Sequence, residues 1–184
     1  MGNPLLDRKS PPEWLASLQV IEFSEKISFF ERLYSALEKE LSALDAAEYP
    51  ADWRDAPVSG RLEFRVSESS TRRVHLDIEA TAEALLVCQR SLQPFTQTLE
   101  IELSVELVAQ DEQVPAELDA WELEEPTMRP VDIVDEALVM ALPLSPMQEN
   151  SAYPEAAAEE PEEREDTVKP FADLRAQMDK FGDE

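Results

Sequence analysis

Glu100, Glu102 and Glu106 recur on even numbers along one stretch of a chain that holds a single thiol, Cys88, and a single imidazole, His75. Paired carboxylates can act as acid and base when an apolar pocket pushes one of them upward. The alternating spacing instead gathers all three on one solvated face, so that condition fails. A hydrolase built on this face would need a deep pocket holding a buried Glu or Asp. One thiol and one imidazole fall short of a metal site, and a lone cysteine cannot close an internal disulfide. Cys88, at the inner face of a strand end, reads as a small buried apolar side chain rather than a nucleophile. The chain has three glycines and contains no phosphate-cradling Gly-rich loop, HExxH, GxSxG or CxxC. No catalytic residue, metal or cofactor is expected, and the protein reads as a non-enzyme.

The charge points to contact instead. Across 184 residues, 41 Asp and Glu stand against 16 Lys and Arg, a net charge of −25. Such a surface repels a phosphate backbone, so strong direct binding to nucleic acid is not expected. It suits a basic protein partner, or solubility alone. No stretch approaches the roughly 20 apolar residues of a membrane span. The start, Met-Gly-Asn-Pro-Leu-Leu-Asp-Arg-Lys, lacks the apolar core of a secretory signal, and Leu6 stands where a myristoylation signal wants Ser or Thr. A cytoplasmic location is expected.

The elements that must position these side chains follow from periodicity. From Val74 through Leu76, Ile78, Ala80, Ala82, Ala84 and Leu86 to Cys88, every second residue is small or apolar. A second run repeats the pattern with Phe95, Leu99, Ile101, Leu103, Val105 and Leu107. Strict period-2 alternation means half-buried strands, and the short connector 89–94 predicts a long antiparallel hairpin. Leu62, Phe64 and Val66 alternate with Arg61, Glu63 and Arg65 to give a preceding strand, whose arginines could face Asp77 and Glu79. Residues 20–27 read as a further strand, 46–59 as a connector, and 120–123 as a short edge strand.

Three helices are expected. Ser10-Pro-Pro-Glu13 forms a capping box ahead of Trp14, Leu15 and Leu18. Ser28 and Glu31 form another ahead of a helix over about residues 29–45, whose stripe of Phe30, Leu33, Tyr34, Leu37, Leu41 and Leu44 should cover the sheet. Residues 131–142 carry apolar side chains at helical spacing, with acids in the first turns as the helix dipole favours. Pro143 stops this helix and residues 144–146 lead outward. The fold class is α+β: an antiparallel β-meander with a long central hairpin packed against helices, followed by a disordered acidic tail. Residues 1–148 make the single domain. Residues 149–168 make a disordered acidic linker, with eight acids against one Arg between 149 and 167. Residues 169–184 make a short interaction motif around Phe171, Leu174 and Met178, which folds on a partner or docks on its own domain.

Three runs taken in order carry a family likeness: Cys-Gln-Arg-Ser-Leu-Gln-Pro-Phe (88–95), Asp-Glu-Ala-Leu-Val-Met-Ala-Leu-Pro-Leu-Ser-Pro (135–146) and Lys-Pro-Phe-Ala-Asp-Leu (169–174). Together they resemble the bacterial YceD family, named for large ribosomal RNA subunit accumulation. Its members share a tip of the form Cys-x-Arg-Cys-Leu-x-Pro-Phe, an acidic helix ending in Ala-Leu-Pro, and a terminal Asn-Pro-Phe-Ala-x-Leu. The N-terminal half, with its Leu-rich helix after Ile27, fits the family's looser pattern. Many relatives carry a second tip cysteine and another after Ala-Leu-Pro, a set suited to a metal. Here Ser91 stands at the second position and the later cysteine is missing, so Cys88 alone cannot hold one.

The resemblance implies a non-enzymatic ribosome-biogenesis role in the synthesis, processing or stability of large-subunit ribosomal RNA. Given the charge, contact with that RNA is expected to run through a basic protein such as a ribosomal protein. The expected contact residues are Cys88, Arg90, Pro94 and Phe95 at the tip and Pro170, Phe171 and Leu174 in the tail. For Arg90 a local salt bridge is an equal alternative, and Phe95 serves the core before any contact. The alternative function is an acidic nucleic-acid mimic that occupies the basic groove of another protein.

Overall fold

The computed structural model describes residues 2–149, apart from 18–19, 69–72, 111, 114 and 116–117. Five strands, β1 (Val20–Lys26), β2 (Pro57–Val66), β3 (Val74–Val87), β4 (Pro94–Ala109) and β5 (Ala120–Leu123), lie side by side in chain order. The first four pair antiparallel as a meander, with β3 and β4 in register from Val74↔Leu107 to Val87↔Pro94. The alternation of apolar residues sets that register, because a one-residue slip would turn every core side chain outward. Leu76 thus meets Val105, Ile78 meets Leu103, and Ala80 meets Ile101. One face of the sheet is core and the other is polar.

β2 and β5 differ from the sequence reading. β2 begins at Pro57, inside the segment taken for a connector. β5 runs parallel to β4, Glu106↔Ala120 through Ala109↔Leu123, so the sheet is mixed rather than wholly antiparallel. The chain leaves β4 at Ala109 and re-enters beside Glu106, whose amide donates to the Asp119 carbonyl at 2.9 Å.

Helices α1 (Pro11–Ser17), α2 (Glu31–Leu41) and α3 (Pro130–Met140) complete the described fold. The capping box at α1 forms: one Glu13 oxygen accepts from the Ser10 amide at 2.8 Å and from its hydroxyl at 2.7 Å. Trp14, fully buried, then stacks on Phe64 of the sheet with ring centroids 5.6 Å apart. Along α2, Leu33, Leu37 and Leu41 face the core, and Tyr34 stacks on Trp53. Gly60 sits under Phe23 where no side chain fits. An added Cβ would lie 2.5 Å from the Glu79 carbonyl oxygen and 2.8 Å from Phe23 Cζ.

The expected capping box at α2 does not form. Ser28 falls in a 3-10 turn, Ile27–Phe29, and Phe30 takes the cap position without a side-chain hydrogen bond. Asp135 of α3 supplies the missing acceptor. Its two oxygens take the Arg32 and Leu33 amides, each at 2.9 Å, in a site where Asp135 is only 6% exposed. A carboxylate there meets two donors the helix cannot satisfy itself and the positive end of its dipole.

The β2–β3 ladder ends at Val58↔Ala82, while β3 and β4 continue for five more rungs. Isolated two-stranded ribbons are marginal in water. Here the turn Trp53–Asp55 lies against the outer side of the arm, where Trp53 and Leu85 are both buried and line one depression with Pro50 and Thr96. Among the described residues no helix is long and apolar enough to cross a membrane. The expected acidic linker and terminal motif lie, apart from Glu149, outside the described residues.

Candidate functional site

The end of the arm is closed by Cys88. Its amide donates to the Gln93 carbonyl at 2.9 Å, and the Leu92 amide donates to the Cys88 carbonyl at 2.8 Å. To make this turn Leu92 takes φ 57°, the left-handed region. That conformation costs a residue with a Cβ about 1–2 kcal/mol. The leucine held there is 54% exposed.

Residues 144–146, read from the sequence as leading outward, turn back onto this tip. The Gln89 amide donates to the Pro146 carbonyl at 2.8 Å, and the Gln148 amide donates to Cys88 Sγ at 3.4 Å. The Arg90 guanidinium approaches Met147 Sδ at 3.8 Å. A proline-punctuated segment suits this task, being stiff and extended while its carbonyls remain free to accept. Two stretches some 57 to 60 positions apart are thereby joined.

The sequence-derived site residues take different places. Cys88 is fully buried, so it shapes the tip from beneath. Pro94 and Phe95 are half-buried and line a depression of about 490 Å³ with Met147 and Gln148. Phe95 also packs against the core, opposite Leu86. Arg90 is half-buried and rests on Met147. Pro170, Phe171 and Leu174 lie outside the described residues. The sequence reading held Leu92 and Leu144 within its family runs but chose neither of them, nor Met147, as contact residues, and all three are exposed. The left-handed turn and the returning segment place them, and neither leaves a periodic signal.

On the polar face Glu100 and Glu102 are exposed, as alternation requires. Glu102 stands directly opposite Glu79, an arrangement of like charges that destabilises a sheet. Glu106 departs from the expected solvated row, being only 4% exposed. The Ser67 hydroxyl donates to one of its oxygens, and Arg73 lies 3.5 Å from the other while also holding Glu112 at 2.7 Å. Arg65 faces Asp77 as expected, at 2.6 Å, whereas Arg61 turns along its own strand to Glu63. Burial pushes the Asp77 carboxyl up, but the Ser104 hydroxyl and the Arg65 guanidinium outweigh it and hold Asp77 below the usual carboxylate range.

The donor set does not fit the metal site that the tip cysteines of relatives suggest. His75 and Cys88 stand at opposite ends of β3, roughly 40 Å apart at the usual strand rise of about 3.3 Å. Among the described residues no three His, Cys, Asp or Glu side chains gather in metal-binding geometry. The buried carboxylates there, Glu106 and Asp135, are each committed, one to Arg73 and Ser67 and the other to the α2 amides.

A family model described as Large ribosomal RNA subunit accumulation protein YceD matches residues 76–176. That span holds both stretches joined at the tip. No curated protein and no solved structure matches the chain.

Proposed function

The chain belongs to the YceD family, and on that premise we propose that it supports large-subunit ribosomal RNA through a basic protein partner. The role is in synthesis, processing or stability of that RNA and involves no catalysis. The observation that carries this reading is the joined tip: Leu92, Leu144 and Met147 stand exposed around one bonded junction of two family segments. At −25 the molecule opposes direct contact with a phosphate backbone, and a basic protein can neutralise both polyanions. Arg90, Pro94 and Phe95 border the contact, with Pro170, Phe171 and Leu174 as a second point of attachment.

The test is affinity purification of the full chain from growing cells, beside Leu92→Gly. Glycine accepts the left-handed φ, so the variant should unfold at the same urea concentration as wild type or a higher one. One basic ribosomal protein is expected with wild type at moderate salt, and its recovery should fall roughly tenfold with Leu92→Gly, a loss of about 1.4 kcal/mol of contact. Recovery of naked RNA with no basic protein would overturn the reading.

Glu79 facing Glu102 favours a second reading, the acidic mimic. Capture of many unrelated basic proteins, all released together as salt rises, would support it over a single partner.

A further inference from the structure

We propose that the cleft between β5 and α3 is a docking groove for an extended, lysine- and arginine-bearing segment of a partner protein, which adds to the sheet outside β5. The inference rests on the basic-partner reading and locates the contact that reading leaves open.

The first support is an open edge. β5 ends the sheet, and among the described residues no backbone hydrogen bond outside its ladder to β4 involves Ala120–Leu123. Edge strands are templates for pairing unless short length, charge, Pro or a cover blunts them, and of these β5 has its shortness and Glu122, a charge that favours a basic strand. The strand Ala-Trp-Glu-Leu carries neither Pro nor Lys.

The second support is an apolar floor that the fold does not fill. Trp121 and Leu123 alternate onto the inner side of β5 and remain half-buried. Met140 of α3 faces the same cleft, which has a volume of about 440 Å³, while Ile133 behind it is already buried in the core. Met140 is 60% exposed. Methionine adapts its shape to whatever packs on it, which suits a binding floor.

Charge selects the occupant. Five carboxylates, Glu122, Glu124, Glu125, Asp132 and Glu136, line the cleft against two guanidiniums, Arg8 and Arg32. Those two are engaged, Arg8 by Glu125 and Arg32 by Glu136, and Asp132 is held by Arg129. Glu122 and Glu124 are exposed and form no ion pair among the described residues. A second copy of this chain, at −25, or a nucleic acid would be repelled. An added strand presents alternate side chains to opposite faces. Its apolar residues would meet Trp121, Leu123 and Met140, and its cations would stand beside Glu122 and Glu124, a favourable cross-strand pairing.

The probe is a short peptide of alternating lysine and valine, titrated into the isotope-labelled full chain. Backbone amide resonances of residues 120–124 and 132–140 should shift. The same peptide N-methylated on alternate residues should bind roughly tenfold or more weakly. The double substitution Glu122→Lys and Glu124→Lys should weaken the unmethylated peptide by a similar factor at low salt while leaving the urea midpoint unchanged. Equal binding of the methylated peptide overturns strand addition, and no binding at all overturns the groove. Shifts confined to Glu79, Glu100 and Glu102 overturn the groove and leave the basic-partner reading standing. In cells, a basic protein recovered equally by wild type and the double variant does the same, whereas no basic protein with wild type removes both.

Discussion

Asp135→Ala should be the most damaging single change to a charged residue in the described fold. Two amides would lose their acceptor, and that of Leu33 lies beneath a fully buried side chain where water cannot replace it. An unsatisfied buried donor costs about 1–3 kcal/mol, and a charge at a partly buried helix end contributes up to about 2 kcal/mol. The Arg32 amide is nearer solvent and recovers part of its loss, so the total is about 3–4 kcal/mol. That is a large share of the roughly 5–15 kcal/mol that holds a domain together. Asp135→Asn keeps an acceptor oxygen and should lose about 1–2 kcal/mol. Urea unfolding of the full chain reads both. With a slope of about 1–3 kcal/mol per molar, the alanine midpoint should fall by about 1–4 M at unchanged slope. Hydrogen exchange at Arg32 and Leu33 should accelerate in the alanine variant. A midpoint for Asp135→Ala equivalent to less than about 0.5 kcal/mol from wild type would refute the reasoning, since surface changes commonly fall in that range.

Gly60→Ala should cost about 2–3 kcal/mol in the same urea assay, because backbone atoms of Glu79 and the ring of Phe23 both stand in the way and overpacking costs about 1–3 kcal/mol; an unchanged midpoint would show that the sheet yields there. Asp77 predicts a pH effect. Its folded value is depressed, so its contribution is fully present above the unfolded value near 3.9 and is lost as pH falls through the lower folded one. The unfolded chain binds the extra proton in that window, so stability rises with pH, and Asp77→Asn should flatten the slope measured by urea midpoints across it. An identical slope in the variant would remove Asp77 from the acid response.

The hairpin was legible because its pattern is long. Across 14 and 16 residues, alternation leaves one register in which Leu76, Ile78, Val105 and Leu103 are all inside. β5 offers four residues, enough to suggest a strand but not its direction, which depends on where the chain re-enters beside Glu106. The cap on α2 was misread for a related reason. Ser28 and Glu31 satisfy the local spacing rule, but the acceptor comes from Asp135, about a hundred positions away, and no local rule sees it. Glu106 has the even numbering of its solvated neighbours, yet Ser67 and Arg73 close over it, which the alternation does not foretell. At the tip, Cys88 and Phe95 were visible as motif residues. Leu92 belongs to the same motif, but its strained, exposed setting and the approach of Met147 are products of the folded backbone.

Five rungs of β3 and β4 project past the last residue of β2, from Glu83↔Thr98 to Val87↔Pro94. The overhang is about 17 Å long, at about 3.4 Å for each rung, and Ala84, Leu86 and Cys88 along it are buried, so it is packed rather than free-standing. Because Gln89 and Cys88 are bonded to Pro146 and Gln148, the overhang and the exit of α3 are tied together at the tip. The tip is thereby joined through a short stretch of chain to the helix that carries both Asp135 and one wall of the groove beside β5.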